Sequence, residues 1–332
     1  MTFRRALARL SIVSFAIAPA CDFPGYYVAI GDAADATSET TNDAVSSFPD
    51  ATVTLPDGST CSGHDEDRDG YPDLCDDCPN VADPTQSSSA IGPSCAPPDG
   101  FGAGLKRAWF EPFTGSDVIA RWPVSPTPAD ASSFRWSTDG DAIEGGSTSD
   151  AIVRYAMGTQ GSGASALVLT TIVTITADNG GTAGLMARVS GNAAARQALI
   201  CAVGAVGGYA VVHTPDTGCG DAACTLTAFA SPTSGGTSGA AIAPFPADIS
   251  RGVGVPIGLR LSITRAATGS VGTIRCQVFD PTAPATLRSP DAAHQIVVDV
   301  PASRWLATGE VGVFATNVTA RFDSVDALSD GP

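Results

Sequence analysis

The sequence predicts an all-β protein in which two antiparallel sheets pack against each other. From Trp109 onward, short segments alternate apolar and polar residues, and turn-forming residues separate them. The clearest segment, residues 256–264, places its four isoleucine and leucine residues on one side. A period of two is typical of a strand with one buried face. Because no long amphipathic helix accompanies these segments, they indicate two packed sheets with polar outer faces.

Nine further segments have the same texture and are strand candidates. They are residues 166–176, 183–189, 197–203, 209–214, 224–230, 273–279, 295–300, 310–316 and 319–325. The run Asn179-Gly180-Gly181 is typical of a tight turn, and it predicts a hairpin between the first two candidates.

The order of four segments resembles a concanavalin A-like or laminin-G-like jelly roll. They are an opening strand at 109–113, a tryptophan-bearing segment at 134–141, a central strand pair that ends at 183–188, and a closing pair at 309–314 and 320–325. The resemblance implies a single two-sheet jelly-roll sandwich over residues 109–328. Immunoglobulin-type sandwiches are the alternative, but they are usually nearer 100 residues.

The amino-terminal residues 1–20 have the pattern of a secretion signal. Three arginines precede an apolar stretch, residues 10–18, that is too short to span a bilayer. Ala18-Pro19-Ala20 followed by Cys21 resembles a bacterial lipobox, which implies an acylated Cys21 and a lipid-anchored protein of the cell envelope, facing the periplasm or the exterior. The alternative is simple cleavage nearby that leaves Cys21 free. The chain has nine cysteines, so acylation of Cys21 would leave an even number for disulfides.

Residues 21–60 predict a disordered acidic tether, because they lack periodicity and contain few large apolar residues. Acidity is concentrated in this part of the chain: residues 22–108 carry a net charge of −13, from 16 acids and three bases. Nucleic acid is a poor partner for such a chain, since phosphate binding needs clustered Lys and Arg.

The most specific motif is the acidic run of residues 65–76. Carboxylates occupy positions 1, 3, 5, 9 and 12 of a twelve-residue loop, and Gly70 occupies position 6. A hard cation such as Ca²⁺ takes six to eight oxygen ligands from a loop of this spacing. The predicted ligands are Asp65, Asp67, Asp69, Asp73, Asp76 and the backbone carbonyl of Tyr71.

The flanks of this loop do not predict an EF-hand, because Pro79 and Pro84 disfavour the second helix. The pattern D-x-D-x-D-G-x-x-D-x-x-D, followed by Cys78-Pro79 and later Gln86, resembles a thrombospondin type 3 repeat. That resemblance implies an irregular segment, residues 61–95, wrapped around structural calcium. It also implies the disulfide Cys78–Cys95, and with it Cys61–Cys75. Residues 96–108 would then be a linker, and the segment would stiffen a stalk.

Four more cysteines lie in the predicted sandwich: Cys201, Cys219, Cys224 and Cys276. Four cysteines allow three pairings, and the sequence does not choose between them. Cys219 and Cys224 could close a small loop, in which case Cys201 and Cys276 would tie two distant strands. Cys75-x-x-Cys78 is also half of a zinc motif, but no second close pair of Cys or His accompanies it.

No catalytic residue is predicted. Retaining glycoside hydrolysis needs two carboxylates about 5–5.5 Å apart, and the three glutamates of the sandwich, Glu111, Glu144 and Glu310, are each isolated in the sequence. A non-enzymatic protein that binds carbohydrate or another surface ligand is therefore expected. A polysaccharide hydrolase and a purely structural envelope protein are the alternatives. The aromatic residues that could form a sugar platform more often belong to the core of such a fold; they are Trp122, Trp136, Tyr155, Tyr209 and Trp305.

Overall fold

The computed structural model describes residues 50–86, 91–97, 104–113, 118–122, 124–125, 137–138, 142–146, 154–158, 164–190, 197–205, 208–213, 239–265, 271–283, 287, 290, 292–301 and 308–331. Two short helical turns are η1 (Asp73–Cys75) and α1 (Val118–Arg121). Among the described residues, no helix is both long and apolar enough to cross a bilayer. The strands are β1 (Asp50–Thr54), β2 (Thr60–His64), β3 (Lys106–Glu111), β4 (Val124–Ser125), β5 (Ser137–Thr138), β6 (Ile143–Gly146), β7 (Arg154–Gly158), β8 (Ala166–Ser190), β9 (Gln197–Val203), β10 (Tyr209–His213), β11 (Gly239–Ala243), β12 (Pro256–Arg265), β13 (Val271–Phe279), β14 (Gln295–Pro301), β15 (Glu310–Phe322) and β16 (Val325–Ser329).

Strand pairing is antiparallel throughout the described strands. β1 and β2 form a hairpin, and the other strands join one network of 14 strands. Its centre is a pair of long strands, β8 on one side and β15 followed by β16 on the other. The network extends from β16 to β3 and from β15 to β6 and β7. On the other side it extends from β8 to β9 and β12. The two long strands therefore pass through both layers of the fold.

The two layers meet across a shared core. The order β3-β16-β8-β12-β13-β14 forms one layer, and β7-β15-β8-β9-β10-β11 forms the other. β9 contacts β13, and β10 contacts β14, without hydrogen bonding to them. A disulfide between Cys201 of β9 and Cys276 of β13 joins the layers covalently. The fold is the antiparallel jelly-roll sandwich that the sequence predicts.

The central strand β12 is a strand, as its alternation of apolar and polar residues predicts, but both of its faces are buried. Leu259 and Ile263 are fully buried in the core, as expected. Arg260 and Ser262 were predicted on a polar outer face, yet they are 0% and 1% exposed. The reason is a covering segment: Arg260 Nη2 donates to the carbonyl of Cys95 at 2.9 Å.

The predicted hairpin at Asn179-Gly180-Gly181 is wrong. Residues 166–176 and 183–189 belong to the single strand β8, which pairs with β15 on both sides of the glycines. The register runs from Thr182 opposite Thr316 to Asp178 opposite Val318, so three residues of β8 face one residue of β15. The glycines therefore form a bulge, in which Gly180 has a φ of 77°.

Two predicted boundaries also change. The tether was expected to reach residue 60, but Asp50–Thr54 forms β1 and pairs with the strand that begins the acidic segment. The linker of 96–108 was expected to precede a sandwich of 109–328, whereas β3 begins at Lys106 and β16 ends at Ser329. Residues 21–49, which include Cys21 and most of the predicted tether, and strand candidate 224–230 lie outside the described residues.

The segment of residues 61–95, called the acidic segment below, packs against the sandwich and does not extend from it as a stalk. Arg107 on β3 donates to the carbonyls of Asp76 and Asp77 and forms an ion pair of 2.9 Å with Asp326 on β16. Val81 and the Cys78–Cys95 disulfide join an apolar cluster with Phe279 of β13. Polar and apolar contacts therefore fix the segment on one face of the sandwich.

Asn80 is expected to be important for this docking. Its side chain is buried, accepts a hydrogen bond from Ser324 Oγ and donates to the carbonyl of Thr170. Asn80→Ala leaves both partners buried without it, so we expect a loss of about 1–3 kcal/mol in the free energy of unfolding. Urea titration measures the loss. The matched control, Asn179→Ala in the exposed bulge, should change stability by less than about 0.5 kcal/mol, and equal effects of the two variants would contradict the assignment.

Candidate metal centre

Three of the predicted ligands converge at the first turn of the acidic loop. Asp65, Asp67 and Asp69 each offer a carboxylate oxygen, and these oxygens all lie within 4.8 Å of one another. The turn is closed by backbone amides: Gly70 N donates to Asp65 Oδ2 at 2.9 Å, and Tyr71 N donates to Asp69 Oδ1 at 2.9 Å. Gly70 has a φ of 95°, which a glycine adopts without strain.

The far end of the loop folds back onto this turn. Gln86 Nε2 donates to Asp76 Oδ1 at 2.8 Å and to Asp69 Oδ2 at 3.3 Å, so it bridges two predicted ligands. The backbone amide of Asp83 also donates to Asp69 Oδ2, at 2.9 Å. Gln86 was part of the repeat pattern, but Asp83 was not predicted, because it lies beyond the twelve-residue spacing.

Burial leaves several carboxylate oxygens of this centre without a hydrogen-bond donor. Asp67 Oδ2 and Asp76 Oδ2 are buried and have no hydrogen-bond partner. Burial, reinforced by neighbouring carboxylates, raises the pKa of Asp67 to about 10 and that of Asp76 to about 7. Buried oxygens with unsatisfied lone pairs and crowded negative charge are the environment that a hard cation stabilises. The residues present therefore fit Ca²⁺, whose ligands are oxygen atoms.

Asp73, the predicted ligand at position 9 of the loop, lies in a different cluster of side chains. Its Oδ1 accepts a hydrogen bond of 3.2 Å from the backbone amide of Glu66. Together with His64 and Glu66 it forms a second cluster whose ligand atoms lie within 4.8 Å of one another. Glu66 occupies position 2 of the loop, where the calcium spacing assigns no ligand, so sequence reasoning missed it.

Disulfides bracket the loop. Cys61 bonds to Cys75, and Cys78 bonds to Cys95, which are the pairs that the repeat resemblance implied. Because Cys75 and Cys78 are both oxidised, they do not provide half of a zinc site. Cys219 and Cys224 lie outside the described residues.

The glutamates of the sandwich lie apart from one another. Glu111 is held by Arg121, at 2.8 Å, and by Trp122 Nε1, at 3.1 Å. Glu144 on β6 accepts a hydrogen bond from Thr176 and lies opposite Arg321, whereas Glu310 begins β15 at its other end. Among the described residues, these three glutamates form no carboxylate pair.

Two of the candidate aromatic residues belong to the core. Trp122 is 3% exposed and Tyr209 is 1% exposed, so neither is a sugar platform. Trp136, Trp305 and the side chain of Tyr155 lie outside the described residues. His294 is buried, and its Nε2 lies 3.0 Å from Asp248 Oδ1.

Comparison with known proteins finds similar folds among sugar-binding proteins and glucanases. No protein-family model and no curated protein sequence matches the chain. A carbohydrate-binding module from Bacillus subtilis matches with 15% identity and a TM-score of 0.36, over 63% of this chain and 96% of the module. A legume lectin-like domain from Entamoeba histolytica matches with 11% identity and a TM-score of 0.40, over 67% and 95% of the two chains. A laminarinase catalytic domain from Thermotoga maritima matches with 7% identity and a TM-score of 0.43, over 69% and 100%. The strand pairing of the chain itself defines its fold.

Proposed function

We propose that this chain is a calcium-binding protein of the cell envelope, in which Ca²⁺ holds the acidic loop in its folded form against a ligand-binding β-sandwich. The observation that carries the calcium proposal is the pair of buried, unpartnered oxygens on Asp67 and Asp76. Without a cation these carboxylates are costly to bury. With a cation, the same oxygens become ligands.

The residues that would hold the cation are Asp65, Asp67, Asp69 and Asp76, with the carbonyl of Tyr71 as the loop spacing predicts. Ca²⁺ would supply positive charge to a cluster in which neighbouring carboxylates raise one another's pKa. Gln86 and the amide of Asp83 orient Asp69 and Asp76. The role is structural, with a dissociation constant of about 10⁻⁴–10⁻³ M, as in other extracellular modules.

The sandwich would bind carbohydrate or another surface ligand without cleaving it. Support comes from the jelly-roll fold and from Glu111, whose carboxylate is engaged by Arg121 and Trp122. Acylated Cys21 would anchor the protein to a membrane. The alternatives are a polysaccharide hydrolase and a purely structural envelope protein, because this fold carries several functions.

Calorimetry of the oxidised full chain tests the calcium proposal. We expect saturable heat on addition of CaCl₂ and its loss in Asp69→Ala. The matched control is Asp57→Ala, which changes an exposed aspartate in the β1–β2 turn and should leave the titration unchanged. Absence of heat in the wild type, or equal titrations of the two variants, would contradict the proposal.

A glycan array and labelled polysaccharides test the function of the sandwich. Retention of the chain without new reducing ends is the expected result. New reducing ends would identify a hydrolase. If the chain is neither retained on glycans nor cleaves them, the result would favour a structural envelope protein and would reject carbohydrate binding.

A further inference from the structure

Glu66 is buried without the hydrogen bonds that a buried carboxylate needs. Its side chain is 0% exposed, and neither Oε1 nor Oε2 has a hydrogen-bond partner. The imidazole of His64 lies beside it, with Nδ1 3.8 Å from Oε2. A carboxylate in this position is costly unless another positive centre compensates it.

Asp323 presents a second unpartnered carboxylate oxygen to this region from the sandwich. It lies between β15 and β16, is fully buried, and has Arg321 Nε at 2.7 Å from its Oδ1. Its Oδ2 has no hydrogen-bond partner. The charge of Asp323 is close enough to raise the pKa of Glu66, and His64 acts on Asp323 in turn. The charge of the sandwich residue therefore acts on the cluster, whose ligand atoms within 4.8 Å of one another come from His64, Glu66 and Asp73.

The charges of this cluster do not balance. Glu66, Asp73 and Asp323 contribute three negative charges when ionised, and Arg321 contributes one positive charge. These four groups sum to −2, which is the charge that one divalent cation neutralises.

We propose that His64, Glu66 and Asp73 form a second metal site, which takes a divalent transition-metal ion, Zn²⁺ first, and that the buried carboxylate of Asp323 favours the ion by its negative charge from the side of the sandwich. The imidazole distinguishes it from the calcium centre, because nitrogen ligands suit Zn²⁺ whereas Ca²⁺ takes oxygen ligands. One imidazole and two carboxylates supply three ligands and leave the fourth position of a tetrahedral zinc ion open.

The dimensions suit this ion after small adjustments. A four-coordinate Zn²⁺ with ligand bonds of about 2.0–2.1 Å places neighbouring ligand atoms about 3.3 Å apart. The distance of 3.8 Å between His64 Nδ1 and Glu66 Oε2 is near that value. The ligand atoms of His64, Glu66 and Asp73 lie within 4.8 Å of one another. Hydrogen bonds hold the two backbone segments that carry these groups. Next to Asp323, Thr171 Oγ1 donates to the carbonyl of Ser324, and within the loop Glu66 N donates to Asp73.

Calorimetry with ZnCl₂ on the oxidised full chain, in buffer that already contains 5 mM CaCl₂, tests the proposal. We expect one additional equivalent of Zn²⁺ to bind. Glu66→Gln should weaken that binding by at least about 100-fold, and Asp323→Asn by about 10–100-fold, because loss of an outer-shell partner typically costs that much. Asp323→Asn is the more decisive variant, since it leaves the sequence of the loop unchanged.

The two sites are separated by opposite variants. Asp69→Ala should lose the calcium heat and retain zinc binding, whereas Asp323→Asn should weaken zinc binding and retain the calcium heat. Failure of the calcium proposal alone would leave the zinc result intact. Three outcomes would overturn the second site: no zinc heat in the wild type, unchanged zinc binding in both Glu66→Gln and Asp323→Asn, or zinc binding that only displaces Ca²⁺.

Discussion

In the presence of a chelator, the folded chain is expected to lose stability as the pH rises from about 4 to 8. Burial raises the pKa of Asp76 from 3.8 to about 7 and that of Asp73 to about 6. Between these limits the folded state keeps protons that the unfolded state has released. The contribution of these two carboxyl groups to the free energy of unfolding is therefore fully present below pH 3.8 and is lost as the pH rises through their raised pKa values. At about 1.4 kcal/mol per pKa unit, Asp76 alone accounts for about 4 kcal/mol at pH 8.

Calcium should remove most of this pH dependence. Carboxylates bind metal ions in their deprotonated form, so Ca²⁺ competes with protons and binds more tightly at higher pH. Thermal unfolding from pH 4 to 8, in 5 mM CaCl₂ and in EDTA, measures the difference. We expect the two curves to meet near pH 4 and to separate as the pH rises.

Asp76→Asn isolates the contribution of one carboxylate. It removes a titrating group but keeps an oxygen that can accept the hydrogen bonds from Cys78 N and Gln86. In EDTA, this variant should lose less stability with rising pH than the wild type, and its response to calcium should weaken. A wild-type chain whose stability in EDTA is constant or rises between pH 4 and 8 would contradict the assignment of these buried carboxylates.

The sequence predicts the convergence of three carboxylates in the acidic loop, because these residues are close in sequence. Asp65, Asp67 and Asp69 follow a fixed spacing, and Gly70 permits the turn between them. The second cluster has no such pattern. Glu66 occupies an intervening position of the loop, and the charge of Asp323 reaches it only through the tertiary fold, in which Ser324 of the β15–β16 bend donates a hydrogen bond to Asn80. Spacing within a segment cannot indicate a partner that arrives through the tertiary fold.

The same limit explains the errors in the fold. Alternation in β12 correctly predicts that Leu259 faces the core, but the opposite face depends on a segment elsewhere in the chain. Arg260 is buried because the region of Cys95 covers it. Asn179-Gly180-Gly181 has the local chemistry of a turn, yet β8 continues through it, because β15 pairs with the strand on both sides.

Removal of the disulfide between the layers is expected to cost about 4 kcal/mol of unfolding free energy. Cys201 and Cys276 are separated by 75 residues, and both sulfur atoms are buried in the core. Cross-linking a loop of that length restricts the unfolded chain strongly, and the restriction is lost in the double variant Cys201→Ala/Cys276→Ala. Urea titration under oxidising conditions measures the effect.

The double variant Cys61→Ala/Cys75→Ala is the matched comparison, because its disulfide spans only 14 residues. A loop of that size accounts for about 3 kcal/mol, so its removal should cost less. It should also weaken calcium binding, since it frees one end of the acidic loop, whereas the inter-layer variant should leave calcium binding intact. A larger stability loss in the Cys61/Cys75 variant would contradict this ranking. Reduction of the wild type breaks all three disulfides of the described residues, so it should cost more stability than either double variant.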